Sequence, residues 1–475
     1  MKKIKQYSLF RRNLQLQKSI LSIPVIAMAS LFVGIFFSAF LHTYEIQNIS
    51  IVERMMDDNS IFPHSALKSD NGLPPLLYWI IAGTSYLIGG VTAVSAKLPT
   101  LISTVVLSTA FFVFVANRQR FRLAYLATLL LITSVGFHYS SVIASIDMLF
   151  TMFVTLTMMA MYRWEEKAQL RGLPWWLPLL ISGGILTQGI FALLFPLAAF
   201  GIYLFLLGKY RMSQILRVLL YLLVTSLLLP ILWYITVWKV EGISLFSAQG
   251  MGILGLGSTV VSHSFAWYKV LIGTLIGLSP WIILPMFSVR SKKTDTGGQT
   301  SNGNPLYLLS AIIVVVSIFF SLLPNISQSA CVLLIYPFAA LLMARHVVNL
   351  IKNARMSLRI FSLIMAMGST ILIIFFVLLL LSPEQIIAFM PNRADIVYLL
   401  NSGLTEHLYL TWGLLIAIGA VVLALLYQNT RRNFTKLMYC NIIIMFFLNL
   451  LIDSAVSTWV RGGDISVPEK IEVRD

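Results

Sequence analysis

The sequence predicts an all-α integral membrane protein, a bundle of about thirteen transmembrane helices with juxtamembrane helices in the first external loop. Two observations carry the bilayer part. Of 475 residues, 58% are hydrophobic and 11% charged, with mean hydropathy +0.86. A water-soluble chain of this length could not cover so much apolar surface. The apolar residues also fall into repeated runs near the roughly 20 residues a helix needs to cross a bilayer. The third observation is the charge pattern. Once the runs are threaded, all but nine of the 34 Lys and Arg lie on one side, the exceptions being Arg54, Lys68, Lys97, Lys239, Lys269, Arg393, Arg461, Lys470 and Arg474. Positive charge marks the cytoplasmic side, so the N-terminus is placed inside. The net charge of +16 is then inner-leaflet anchoring, and no nucleic-acid partner is called for.

Residues 1–18 form the basic cytoplasmic N-terminus, and the apolar run that follows reads as an uncleaved first span ending near Leu41. Further spans are expected near 97–116, 122–140, 147–164, 174–188, 190–208, 214–238, 267–289, 305–323, 329–349, 360–381, 409–427 and 437–456. Residues 19–350 make the core, residues 351–456 a set of C-terminal helices, and residues 457–475 a short external tail. Pro74–Gly90 is apolar enough to span, but doing so would break the alternation of the basic loops. It is expected to lie in or dip into the outer face, with Trp79 and Tyr86 as interfacial anchors. The first external loop then runs over about 42–96, long enough to imply a task. Cys331 and Cys440 sit within spans and read as small apolar residues, neither a disulfide nor a metal set.

Ionisable groups at a membrane boundary are costly, so each one calls for an account. On the expected outer side these are Glu45, Glu53, Asp57, Asp58, Asp147, Glu241, His263, Glu384, Asp395, Glu406 and His407. Glu45 follows the first span and Asp147 opens another on the same face, so packing could bring the two carboxylates into one cleft. There one could act as general base toward an acceptor hydroxyl or amine. The plainer reading of Asp147 is a helix N-terminal acid that suits the dipole. That reading is weaker for Glu45, which is expected at a C-terminal end. His263 beside aromatic residues reads equally as an interfacial residue, and Gln188 as a polar turn between spans. Gly250, Gly252 and Gly255 match a dinucleotide fingerprint, but no strand precedes them, so the match is discounted.

Several segments resemble glycosyltransferase family 39, the group of bacterial aminoarabinose-lipid A transferases and protein O-mannosyltransferases. They are YEIQNISIVERMMDDNSIF followed by GLPPLLYWIIAG, AVSAKLPTLIST, SIDMLFTMFVTL, SHSFAWYKVL with LSPWIILP, and FFSLLPNISQSACVLLIYPFAALLMA. The likeness runs in order over roughly residues 20–350. It implies a GT-C-type bundle in the bacterial inner membrane with its active face periplasmic. The implied reaction takes a sugar from a polyprenyl-phosphate carrier to a lipid, glycan or protein acceptor. It implies Glu45 and Asp147 as the catalytic carboxylates and Tyr44, Lys68, Gln188, His263 and Tyr268 as substrate-binding residues. No cofactor is fixed by it, and room is left for a divalent metal.

The departures are chemical. Tyr44 stands where the family has a leading Asp, Leu73 where it has a Lys before Pro-Pro, and Gln188 where it has a Lys in a Thr-Lys-Gly turn. The basic residues expected near Asn325–Ser329 are missing, as is the C-terminal soluble domain of many members. Phosphate binding leans on such charge. Two other readings therefore stand beside the transferase: a degenerate homologue serving as a structural subunit of an envelope complex, and a lipid-linked glycan transporter or polymerase. The last would be expected to carry charges near the membrane midplane, whereas this chain keeps them at its helix ends.

Overall fold

The structure, a computed structural model, describes residues 21–35, 43–67, 74–172, 174–244, 247–254, 267–287, 305–323, 327–389 and 394–456. These are helical almost throughout, with no strand among them. In chain order the helices are α1 (Leu21–Ile35), α2 (Thr43–Asp57), α3 (His64–Leu67), α4 (Leu76–Ile88), α5 (Ala93–Ala116), α6 (Phe121–Thr133), α7 (Val135–Val142) and α8 (Ile146–Ala168). Then come α9 (Trp176–Gln188), α10 (Phe191–Leu207), α11 (Met212–Glu241), α12 (Ala248–Ile253), α13 (Trp267–Gly277), α14 (Pro305–Ser321) and α15 (Gln328–Asn353). The last five are α16 (Arg355–Leu381), α17 (Pro383–Phe389), α18 (Ala394–Glu406), α19 (Leu408–Thr430) and α20 (Phe434–Val456). Contacts divide the chain into two units, residues 1–27 with 48–348 and residues 28–47 with 349–475.

Seven helices are long and apolar enough to cross a membrane: α5, α8, α11, α15, α16, α19 and α20. The bent pair α6 and α7 makes an eighth, and five shorter apolar helices add to them. The chain is an integral membrane protein, and its helical bundle is of the class its sequence predicts. The pair α6–α7 turns by 61° at Ser134, whose hydroxyl donates back to the Leu131 carbonyl (2.8 Å). Beyond the turn, the Val135 amide leaves the helix ladder for the Ser279 carbonyl (3.3 Å). The span expected at 267–289 is α13 followed by a 3₁₀ turn, Trp281–Met286. Pro280 cannot donate in a helix and restricts the residue before it, so α13 ends ahead of it.

The first unit packs α5 against α4, α6 and α8, with α9 bridging α8, α10 and α11, and α10 also meeting α14. The membrane-length windows of α8 and α15 are 72% buried, whereas that of α11 is 22% buried. The first two are therefore central, and α11 turns most of its surface outward. α4 and α9 are each 13 residues long, about 20 Å at helical rise, too short to cross a core of about 30 Å alone. This agrees with the non-spanning place expected for α4 and corrects the full span expected at 174–188. A Thr92–Ser95 capping box opens α5, with Ser95 N–H on Thr92 Oγ1 (3.1 Å) and Thr92 N–H on Ser95 Oγ (2.8 Å). The Thr84 hydroxyl donates to the Ser95 carbonyl (2.8 Å), which fastens α4 to that cap.

The short outer elements are pinned to α11. His64 Nδ1 forms an ion pair with the buried Glu241 carboxylate, and its Nε2 meets Ser60 Oγ at 2.9 Å. Phe62 stacks on Trp233, Trp79 packs edge-on against Trp233, and Trp79 Nε1–H donates to the Ile61 carbonyl (2.8 Å). Glu241, one of the ionisable groups expected on the outer side, has His64 as a partner in the fold. Removing the imidazole by His64→Ala is expected to cost roughly 1–3 kcal/mol. Limited proteolysis of the detergent-solubilised protein should then cut between residues 58 and 67 faster than in wild type.

In the second unit α16, α19 and α20 pack together with α18 against them. Asn441 Nδ2–H donates to Ser362 Oγ (2.8 Å) and Arg359 Nε–H to Asn429 Oδ1 (3.1 Å), so polar pairs tie the helices within this layer. Cys331 is buried and Cys440 half-buried, and neither is bonded to another cysteine.

Candidate functional site

α5 and α8 run parallel, since Arg118 just beyond α5 reaches Glu166 near the end of α8 (2.5 Å). Asp147 therefore stands at the end of the first unit where both helices begin. Residues 143–145 are extended between α7 and α8. Asp147 then occupies the first turn of α8, where the dipole favours an anion. Its backbone carbonyl accepts from Thr151 Oγ1–H (2.7 Å).

Three side chains from two other helices converge on its carboxylate. Gln188 Nε2–H donates to Oδ1 at 2.5 Å and Ser327 Oγ–H to the same oxygen at 3.3 Å. Ser329 Oγ–H donates to Oδ2 at 2.5 Å, and the two serine hydroxyls are 3.0 Å apart. Gln188 ends α9 because Gly189 takes a positive φ of 75°, which turns the chain sharply into α10. The corner is held from outside: the Ile190 amide donates to the Leu254 carbonyl (2.8 Å), at the end of α12. On another side, Asn48 Nδ2–H of α2 donates to the Ala144 carbonyl (3.4 Å), and Tyr78 O–H of α4 donates to Asn48 Oδ1 (3.4 Å). Asp147 itself is half-buried, while Ser327 and Ser329 are exposed. The carboxylate is thus held in place by protein donors and remains within reach of a substrate.

Among the described residues, the donors to Asp147 are neutral. Where the family resemblance leads one to expect a Lys, Gln188 keeps the hydrogen bond and drops the charge. Ser327 and Ser329 occupy the stretch where basic residues were expected. Among the described residues, no Lys or Arg forms an ion pair with Asp147. Lys97, counted from sequence only as an outer cation, is fully buried near the start of α5, at this same end. No three His, Cys, Asp or Glu side chains gather as a metal set among the described residues.

Glu45 lies in the first turn of α2, fully buried, and is part of the second unit. It is at the N-terminal end of a helix, not the C-terminal end expected from sequence, because α2 begins at Thr43. Tyr44 is in the same turn, and its side chain lies outside the described residues, as do Lys68 and His263. Tyr268 stands exposed in the first turn of α13. Of the predicted set, Asp147 and Gln188 are brought together. Ser327 and Ser329 were missed as partners, and the one hint was a polar run, Asn325–Ser329, opening an otherwise apolar helix.

The fold and this site define a helical membrane protein of GT-C type with an accessible carboxylate at one end. Residues 73–238 match the sequence pattern of the dolichyl-phosphate-mannose-protein mannosyltransferase family, a stretch that contains both Asp147 and Gln188. The fold is similar to that of ArnT from Cupriavidus metallidurans, in a crystal structure bound to undecaprenyl phosphate and in another in the apo state. In both comparisons the TM-score is 0.67 at 14% identity, over 94% of this chain and 79% of ArnT. No curated protein matches the sequence.

Proposed function

We propose that this protein is a membrane glycosyltransferase that moves a sugar from a polyprenyl-phosphate donor to a lipid, glycan or protein acceptor. Asp147 is the general base in this reading. The observation that carries it is the convergence of Gln188, Ser327 and Ser329 on one accessible carboxylate, within the stretch that matches the mannosyltransferase family. The undecaprenyl phosphate in the ArnT crystal structure supports the lipid class of the donor.

The step balances simply. An acceptor O–H or N–H gives its proton to Asp147 as its lone pair attacks the anomeric carbon. The bond from that carbon to the phosphate oxygen breaks, and polyprenyl phosphate leaves with the electron pair. Hydrogen bonds from Gln188 and the serines fix the carboxylate's orientation, which is what a general base needs before its basicity matters. The excess of Lys and Arg at the opposite helix ends supports an outward-facing position for this end, with the N-terminus in the cytoplasm, and the family resemblance supports a bacterial inner membrane, where that face is periplasmic.

One observation favours a second reading, a structural subunit: the donors to Asp147 among the described residues are uncharged, where the family resemblance implies a basic phosphate grip. The two are separated by comparing lipid A, surface-glycan and glycoprotein profiles of a deletion strain with strains carrying Asp147→Asn or Glu45→Gln. The transferase reading expects the Asp147→Asn profile to copy the deletion. A deletion phenotype that both point variants complement fully would leave a scaffold. Glu45→Gln tests separately whether the second carboxylate takes part. Gln188→Leu, which removes one hydrogen bond to a charged group, should slow transfer by about 10- to 100-fold in a purified assay, the kinetic equivalent of roughly 1.5–3 kcal/mol.

A further inference from the structure

At the other end of α8 the first unit encloses a cavity of about 1320 Å³. Glu165 lines it, 18 residues beyond Asp147 along one helix, or about 27 Å at helical rise. The cavity is thus separate from the carboxylate site.

Its lining is strongly cationic: Arg118, Arg171, Lys209, Arg217 and Arg345 against Glu165 and Glu166. Both carboxylates are already engaged. Glu166 is paired with Arg118 (2.5 Å), and Glu165 with Lys209 (3.3 Å) and the hydroxyl of Tyr210 (3.1 Å). The lining as a whole carries a net positive charge of three, five cations against two carboxylates. Four of the five cations are Arg, whose planar fork matches phosphate oxygens in pairs.

The positive-inside pattern accounts for basic residues at helix ends but not for their arrangement. An anchoring Arg needs no cavity and extends toward water or headgroups. Here the Arg118 side chain is only 11% exposed, sits over the Phe114 ring (4.0 Å), and has a buried Nε–H with no acceptor. The Arg345 guanidinium lies over the Tyr307 ring (4.1 Å), and the Tyr307 hydroxyl is tied to Gln119 Oε1 (3.2 Å). Such stacking holds a guanidinium in one attitude and lowers the cost of binding. Burial and the neighbouring Glu165 push the Tyr210 hydroxyl up to about 12, and its one proton is given to the Glu165 carboxylate. Gln214, Arg217 and Val218 bring the start of α11 to the rim, and α11 is the helix with the least buried membrane-length window. That gives a lipid headgroup a lateral way in.

We infer that this cavity binds a phosphate- or diphosphate-bearing anion, carried on a membrane lipid or free in solution.

The test uses the full-length protein in nanodiscs, in two arms. In the first, inorganic pyrophosphate is titrated calorimetrically against protein in purely zwitterionic phosphatidylcholine. In the second, native mass spectrometry counts the phosphatidylglycerol retained from mixed bilayers. Each arm compares wild type with Arg171→Gln and Arg217→Gln, both exposed enough to leave folding intact, and with Arg432→Gln, an exposed cation that does not line the cavity. In at least one arm the two cavity variants should bind about tenfold more weakly, with Arg432→Gln unchanged, as expected for loss of a charge-assisted contact. Pyrophosphate binding identifies a free anion, and retention of phosphatidylglycerol alone identifies a headgroup. No binding in either arm overturns the inference. So does an equal loss in all three variants, which would reduce the cavity to general surface charge.

Discussion

Asp147→Asn lowers sugar transfer by about 100- to 10,000-fold, the range for loss of a positioned general base, while the protein folds as before. The two side chains have the same shape. An Asn oxygen can still accept from Gln188 and Ser327, and an Asn amide can donate to the Ser329 hydroxyl, which turns to accept it. What disappears is the capacity to take up the acceptor's proton. The measurement is single-turnover transfer from a purified polyprenyl-phosphate sugar, alongside the thermal unfolding midpoint. An unchanged midpoint with lost turnover assigns the carboxylate to chemistry. A lowered midpoint with turnover retained would make it a clamp holding α8 to α9 and α15.

Gly277→Ala should destabilise the bundle by about 1–3 kcal/mol, the range for overpacking a filled site. In a helix Ala is otherwise favoured over Gly by up to about 1 kcal/mol, so the net sign rests on the steric term. A Cβ at Gly277 would lie 2.8 Å from Tyr336 Cζ and 3.3 Å from Cε1, and would collide with the hydroxyl. All three atoms belong to one ring. Adding Tyr336→Phe removes the nearest of them and should restore part of the loss. Gly136 gives the contrast. A Cβ there would meet Gly277 Cα at 2.7 Å as well as the same ring, so Tyr336→Phe should rescue Gly136→Ala less well. Unfolding midpoints of the four variants in one detergent read the difference.

The Gly136–Gly277–Tyr336 contact also shows where sequence reading stops. Both glycines sit in apolar stretches, and nothing local marks them as a close approach between α7 and α13. Asp147 shows the opposite. It is a charged residue opening an apolar run, and the cost of charge at a membrane boundary singles it out without any structure. Gln188 was legible as a break between spans but not as a ligand of Asp147, because its partner is 41 residues away. His64 went unnoticed because its reason for being there, Glu241, lies at the far end of α11.

Hydropathy and charge are summed along the chain, so the sequence by itself determined the membrane bundle, its basic end, and the carboxylate at the start of α8. Hydrogen bonds depend on where distant helices end. Only the tertiary structure decided that Ser327 and Ser329, about 180 residues from Asp147, join Gln188 in holding it. The same holds for the basic cavity at the other end, where helix-end charges that look alike in sequence become a ring of cations facing one space.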